Sequence, residues 1–198
     1  MSKQSDSSAN NIIRTSAEAM RKLSSVHLMV LVKGKFERFG PVTKVDGDVR
    51  TTPLMANGFV TYENGVVAPF VVDKDVMSVK LGGEWSEVGT ASDFIPASIA
   101  DPNNGMTELL NRLVDVKSDG SEAIDGVRTN KISGTILPQQ DGSIAAELSG
   151  PAEFKAWIRA DAQPVLVRAV IDISSEKSLT VTMSKWNLPV SLAPATPN

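Results

Sequence analysis

The chain has 198 residues, of which 41% are apolar and 22% charged, with 20 Lys and Arg against 23 Asp and Glu for a net charge of -3. This is the make-up of one large globular domain or two small ones, and without a basic run it argues against a nucleic-acid binder. The lack of cysteine excludes disulfides, thiol catalysis and thiolate metal sites, and no apolar run approaches the roughly 18–20 residues that span a bilayer.

Residues 1–9 are polar and are read as a disordered linker without a signal peptide, either a native start or the trimmed end of a longer precursor. Asn10 to Leu23 is predicted as a helix, with Ile13, Ala17 and Met20 on one stripe and Asn10 or Asn11 as its cap. Val26 to Phe36 is predicted as a strand. Val26, Leu28, Val30 and Val32 share one face, and Met29 and Leu31 on the other suggest cover on both sides. Thr43 to Arg50 alternates through Asp46-Gly47, so Gly47 reads as a bulge or a point of close backbone approach. Met55 to Glu63 and Val66 to Val72 flank Asn64-Gly65, a strong two-residue hairpin signal. Pro69 inside the second run implies a bulge or an edge there. Val76 to Leu81 and Trp85 to Val88 flank Gly82-Gly83, another hairpin.

Ser92 to Ala100 is loop or short helix. Asp101-Pro102 is predicted to open a helix bearing Met106, Leu109, Leu110 and Leu113 on one stripe. Val116 to Ile124 and Val127 to Ile136 flank Asp125-Gly126. A short helix is expected over Ser143 to Leu148. The longest ordered stretch follows, from Phe154 to Trp186. Phe154, Ala156 and Ile158 alternate with Lys155, Trp157 and Arg159; Val165, Val167, Ala169 and Ile171 alternate with Leu166, Arg168 and Val170; Leu179, Val181 and Met183 alternate with Thr180 and Thr182. Period-two alternation makes one apolar face per strand, and the short connectors force antiparallel neighbours. The sum is an α+β domain over residues 10–190, a large antiparallel sheet with helices on one face, and a tail over 191–198. Ten or so strands in an open sheet should curl, with the helices on the concave side.

Chemistry-bearing constellations are sparse. His27 is the single histidine and shows no placed partner in the sequence, so it is read as a structural or surface residue. Asp46 and Asp48 share a strand face, where Lys44 and Arg50 neutralise them; they read as a solvated face and not a cation site. No Gly-x-Ser-x-Gly and no phosphate-cradling loop occurs. Trp85, Trp157 and Trp186 are read as packed sheet residues, with a sugar platform as the rarer alternative. No enzyme, cofactor or metal site is expected.

The segments Asp48 to Pro53, Ser78 to Leu81, Glu84 to Ser86, Asp101-Pro102 with Gly105, Leu109 and Leu110, Ile124 to Gly126, Lys131 to Ile136, Trp157-Ile158, Leu166 to Arg168 and Ser184 to Asn187 occur in an order that resembles the mycobacterial LppX/LprG lipoprotein family, on its LppX side. None is specific alone; the ordered set from Ala17 to Val190 is. The resemblance implies a strongly curved antiparallel half-barrel whose concave-face helices enclose an apolar cavity. It implies a carrier, not an enzyme, that moves multi-acyl lipids (phthiocerol-dimycocerosate-like waxes or acylated glycolipids) toward the outer envelope. It also implies residence at the outer face of the plasma membrane through an acylated cysteine that precedes this chain, a possible exporter as partner, and a monomer.

Combining that implication with the alternation, the lining is expected to be Val30, Val32, Leu109, Leu110, Leu113, Ile158, Val167, Ile171, Val181 and Met183. The alternatives are an envelope scaffold or adhesin with the same fold and no transported lipid, or an enzyme acting on envelope lipids.

Overall fold

The structure, a computed structural model, describes residues 6–37, 39–91, 99, 101, 105–139 and 144–190. Helix α1 spans Ser7–Met20. It begins ahead of the expected Asn10 because the Asp6 carboxylate caps it, accepting from the Ser8 amide at 2.9 Å. Ala9, Ile13, Ala17 and Met20 form its buried stripe, while Arg14 and Glu18 pair on the solvent side.

Six strands follow: β1 (Ser25–Lys33), β2 (Val42–Thr51), β3 (Leu54–Tyr62), β4 (Val67–Asp73), β5 (Val76–Leu81) and β6 (Glu84–Thr90). Helix α2 is Met106–Asn111, and then come β7 (Val114–Ile124), β8 (Val127–Ile136), a 3₁₀ turn over Ile144–Glu147, β9 (Ala152–Arg159), β10 (Leu166–Ser174) and β11 (Lys177–Ser184). All 11 strands join one open sheet in the order β6-β5-β4-β3-β2-β1-β11-β10-β9-β8-β7, and every pairing is antiparallel. The chain lays one wing outward from β1 and returns to build the other wing inward to β11, so its two halves meet at the β1–β11 ladder.

Register explains what holds the sheet. Ala68, Val60, Val45, Val30, Val181, Ala169, Ala156 and Ile132 are consecutive cross-strand partners from β4 to β8. Each is buried. One aliphatic row thus crosses the sheet without a polar break. Parallel rows through Leu28–Met183 and Val32–Leu179–Ile171–Phe154 flank it. These side chains and the buried stripes of α1 and α2 form one cluster. A one-residue slip would turn every member to solvent, which pins the register.

Local chemistry settles the turns. Asp125 (φ 49°) and Gly126 (φ 81°) make the expected left-handed two-residue hairpin. Asn64-Gly65 does not: Tyr62 donates to the Val66 carbonyl at 2.9 Å across a three-residue loop, with Gly65 alone left-handed. Pro69 sits within an interior strand without a bulge, because the β4–β5 ladder starts only at Phe70–Val79 and β3 is its one strand partner. Gly47 and Gly58 pair across β2 and β3. A Cβ on Gly58 would overlap the Asp46 carbonyl, and one on Gly47 would overlap the Asn57 carbonyl. Gly47 is therefore a close-approach point, not a bulge.

Other expectations need correction. The first strand ends at Lys33, and Phe36 instead bridges to Gly40. The outer side of β1 is not covered, since Leu31 is 44% exposed. Helix α2 starts at Met106 with Gly105 at its cap and stops before Leu113; Asp101 does not cap it, although its carbonyl accepts from the Gly105 amide. The expectations for Pro102, for residues 92–98 and for the tail from residue 191 lie outside the described residues.

Gly58→Ala should destabilise the fold by about 1–3 kcal/mol, because its methyl overlaps backbone that cannot rotate away. Gly150→Ala, with no neighbour within 4 Å of its Cβ position, should be near neutral by comparison. Urea midpoints of the two variants check this, and equal midpoints would contradict it.

Candidate functional site

Two faces of one sheet offer different chemistry. The inner face presents aliphatic side chains to α1 and α2. Dispersion and burial act there without direction, so this surface can hold hydrocarbon but cannot orient a polar reactant. The outer face carries the charges.

Eight of the ten residues expected from alternation belong to the inner-face cluster: Val30, Val32, Leu109, Leu110, Ile158, Ile171, Val181 and Met183. Leu113 lies past the end of α2, partly buried and packed against that cluster. Val167 does not join them. The β9–β10 register shifts between Leu166 and Arg168, so Leu166 takes the inner position opposite Ile158 and Val167 becomes the extra residue. A bulge places two residues against one and reverses the alternation beyond it. Val167 is buried with Ile124 and Trp157 in a second cluster, with Val127, Val170 and Trp186 packed against it.

That second cluster carries two of the three tryptophans. The Trp157 indole N–H donates to the Glu122 carboxylate, and Lys131 stands 5.3 Å over the Trp157 ring. Trp186 donates to the Leu166 carbonyl, with Arg159 5.6 Å over its ring. Trp157 is a packed sheet residue of β9, as expected, whereas Trp186 stands half-exposed in the turn after β11. The Trp157 hydrogen bond, with the Lys131 charge beside it, holds the Glu122 carboxyl below its ordinary range.

His27 has partners after all. Its Nδ1 lies 2.8 Å from Asp48 and its Nε2 3.1 Å from Asp46, and Lys44 holds the other Asp46 oxygen at 3.1 Å. Register places His27 opposite Asp48 and Met29 opposite Asp46. A separation of 21 residues along the chain hides the pairing with Asp48, which only strand register creates. Both ring nitrogens are occupied by carboxylates, and Ser184 is the residue opposite His27 on β11. Among the described residues no group of His, Asp or Glu is placed to hold a metal ion.

A pocket of about 1000 Å³ opens at the end of the sheet where β1 stops, between the Lys35–Pro41 connection, Glu63, Lys177 and the segment Ala146–Ser149. None of the ten expected residues lines it. Its wall comes from connections that alternation reads only as turns. The available signal was Phe36 and Phe39 beside Gly40-Pro41: two aromatics in a turn have to pack somewhere, and here their rings meet edge-on at 5.5 Å. No described helix is long and apolar enough to cross a membrane.

Comparison with known proteins gives a consistent result. A family model, the LppX_LprAFG lipoproteins, matches residues 8–192. The chain is 37% identical over 186 residues to a Mycobacterium leprae protein named "Putative phthiocerol dimycocerosate transporter LppX", covering 94% of this chain and 79% of that one. It is 30% identical over 185 residues to the "Lipoarabinomannan carrier protein LprG" of Mycobacterium bovis, covering 90% and 78%. The crystal structure of the Mycobacterium tuberculosis lipoprotein LppX superposes with a TM-score of 0.80 at 35% identity, covering 96% of this chain and all of that one.

The depressed Glu122 pKa carries a sign. A carboxyl whose folded pKa lies below its unfolded value contributes stability above the unfolded pKa, and that contribution is lost as pH falls through the folded pKa. In a Trp85→Phe, Trp186→Phe background, Trp157 emission should therefore change on acidification below the ordinary glutamate range. Glu122→Gln should abolish that step; a step that survives would show that another group causes it.

Proposed function

The chain belongs to the LppX_LprAFG lipoprotein family, and from that premise we propose that it is an envelope lipid carrier that holds acyl chains between its sheet and its helices. The observation that carries this reading is the aliphatic row across eight consecutive strands, facing among the described residues α1, α2 and the helical Ile99. A long acyl chain in water costs about 0.8 kcal/mol per methylene that could be buried. A carrier must recover that energy and still release its cargo, which suits non-directional walls over specific hydrogen bonds.

Curvature is part of the proposal. Twisted open sheets of this many strands coil on themselves. The Gly47–Gly58 contact and the register shifts in β5–β6, β7–β8 and β9–β10 are devices that bend a sheet. A half-barrel bent around α1 and α2 would enclose an apolar cavity lined by Val30, Val32, Leu109, Leu110, Leu113, Ile158, Ile171, Val181 and Met183, with Val167 left outside.

The cargo class follows the relatives, one named for phthiocerol dimycocerosate and the other for lipoarabinomannan. For this chain we infer a multi-acyl lipid of either kind, moved from the plasma membrane toward the outer membrane. Attachment to the outer face of the plasma membrane through an acylated cysteine belongs to the same proposal, as does action as a monomer that receives lipid from an exporter. The reading needs no catalysis and no cofactor.

Mass spectrometry of an organic extract of the protein, purified from a mycobacterial host, is the direct test. Multi-acyl lipid should be present well above a blank, and Leu113→Trp should lower the loaded fraction several-fold. Leu31→Trp, on the solvent side of β1, should leave loading unchanged. An extract indistinguishable from the blank would overturn the carrier reading in favour of a scaffold with the same fold. Equal loading in the two variants would overturn the lining.

A further inference from the structure

Three buried hydroxyls of this fold bond to backbone carbonyls: Ser25 donates to Leu188, Thr51 to Leu23 and Thr129 to Glu122. Ser16, in the second half of α1, is fully buried and its Oγ has no hydrogen-bond partner. It is the one buried hydroxyl in that state among the described residues. Its place on the helix fixes the way it faces. Ile13 lies three residues before it and Met20 four after, so all three share the stripe that packs into the inner-face cluster. Arg14 and Glu18 pair on the solvent side. The turn below offers no ready outlet, because the Ile12 carbonyl accepts the Thr15 hydroxyl at 3.0 Å besides its helical amide.

A buried hydroxyl without a partner is destabilising, since it has lost its bonds to water and gained none. A bare hydrocarbon chain cannot repair that. The repair needs an acceptor carried into the apolar layer by an otherwise hydrocarbon molecule. An acyl ester is such a group: its carbonyl accepts, it has no donor of its own, and it is uncharged. An ionised carboxylate does not fit. The basic residues of α1 and its end, Arg14, Arg21 and Lys22, are all exposed, and an anion buried away from them would lack a counter-charge.

We infer that Ser16 donates a hydrogen bond to an ester carbonyl of the carried lipid and so makes the wall selective for acyl over alkyl chains. The inference rests on the carrier reading and deepens it: the aliphatic row supplies affinity without direction, and Ser16 adds one directed contact. It also separates the empty protein from the loaded one, because the hydroxyl is orphaned in the first and paired in the second.

Calorimetric titration of the delipidated whole chain with dioctanoylglycerol and with its dioctyl ether, each below its aggregation concentration, tests this. The two lipids differ in their ester carbonyls, and comparing their affinity ratio between the wild type and Ser16→Ala cancels the difference in hydrophobicity. The ester-to-ether ratio should be about fivefold higher in the wild type, as one neutral hydrogen bond provides. Without lipid, Ser16→Ala should raise the urea midpoint. The gain should exceed that of Thr15→Ala, which removes a satisfied hydroxyl from the same helix. That comparison separates the orphaned hydroxyl from the better helix propensity of alanine. An equal ratio in the two proteins, or a midpoint gain no larger than that of Thr15→Ala, would overturn the inference; with both lipids bound, the carrier reading would stand. Binding of neither lipid would overturn the carrier reading and the inference with it.

Discussion

An antiparallel sheet with an oily face has to bury that face, and here the demand is unusually large. The row from Ala68 to Ile132 crosses eight strands, and it is flanked by further rows of Leu, Val, Ile, Met and Phe. Among the described residues it is met by α1 with its Ile13, Ala17 and Met20 stripe, by α2 with Met106, Leu109 and Leu110, and by the buried Ile99. The glycine contact between β2 and β3 and the displaced registers are features that let a sheet bend.

The outer face is held differently. Its ion pairs (Lys155 with Glu153 and Asp172, Lys44 with Asp46) are half-exposed and contribute little individually. What anchors that side is the small cluster of Ile124, Trp157 and Val167, placed where the β7–β8 hairpin tip and the segment after β11 meet β10. Trp157 belongs to that cluster, while Trp186 packs against both it and the inner-face cluster. The two sides thus differ in kind: one is held by hydrogen-bonded indoles and ion pairs, the other by non-directional aliphatic packing. A cavity lined with hydrogen-bonding groups would select a ligand more sharply and release it less readily.

Family membership and physics support each other without being the same argument. The match along residues 8–192 assigns the chain to a group of lipoproteins. The register, independently, shows one continuous aliphatic face across eight strands.

Much of the architecture was legible in the residues. Alternation gave the strands of both wings, Asp125-Gly126 gave its hairpin, and the apolar stripes of α1 and α2 marked their buried sides, because these are short-range consequences of backbone geometry. The inward faces of β1, β9 and β11 were readable for the same reason. What alternation cannot see is an interruption of its own phase: the bulge at Val167 breaks no sequence rule, yet it sends that side chain to the opposite face. Nor can it see partners brought together by register, as His27 is with Asp46 and Asp48. The order of residues along the chain specifies which side chains must leave water. Where each of them goes, and which partner it meets, is set by the folded sheet, because pairing across strands depends on contacts between segments far apart along the chain.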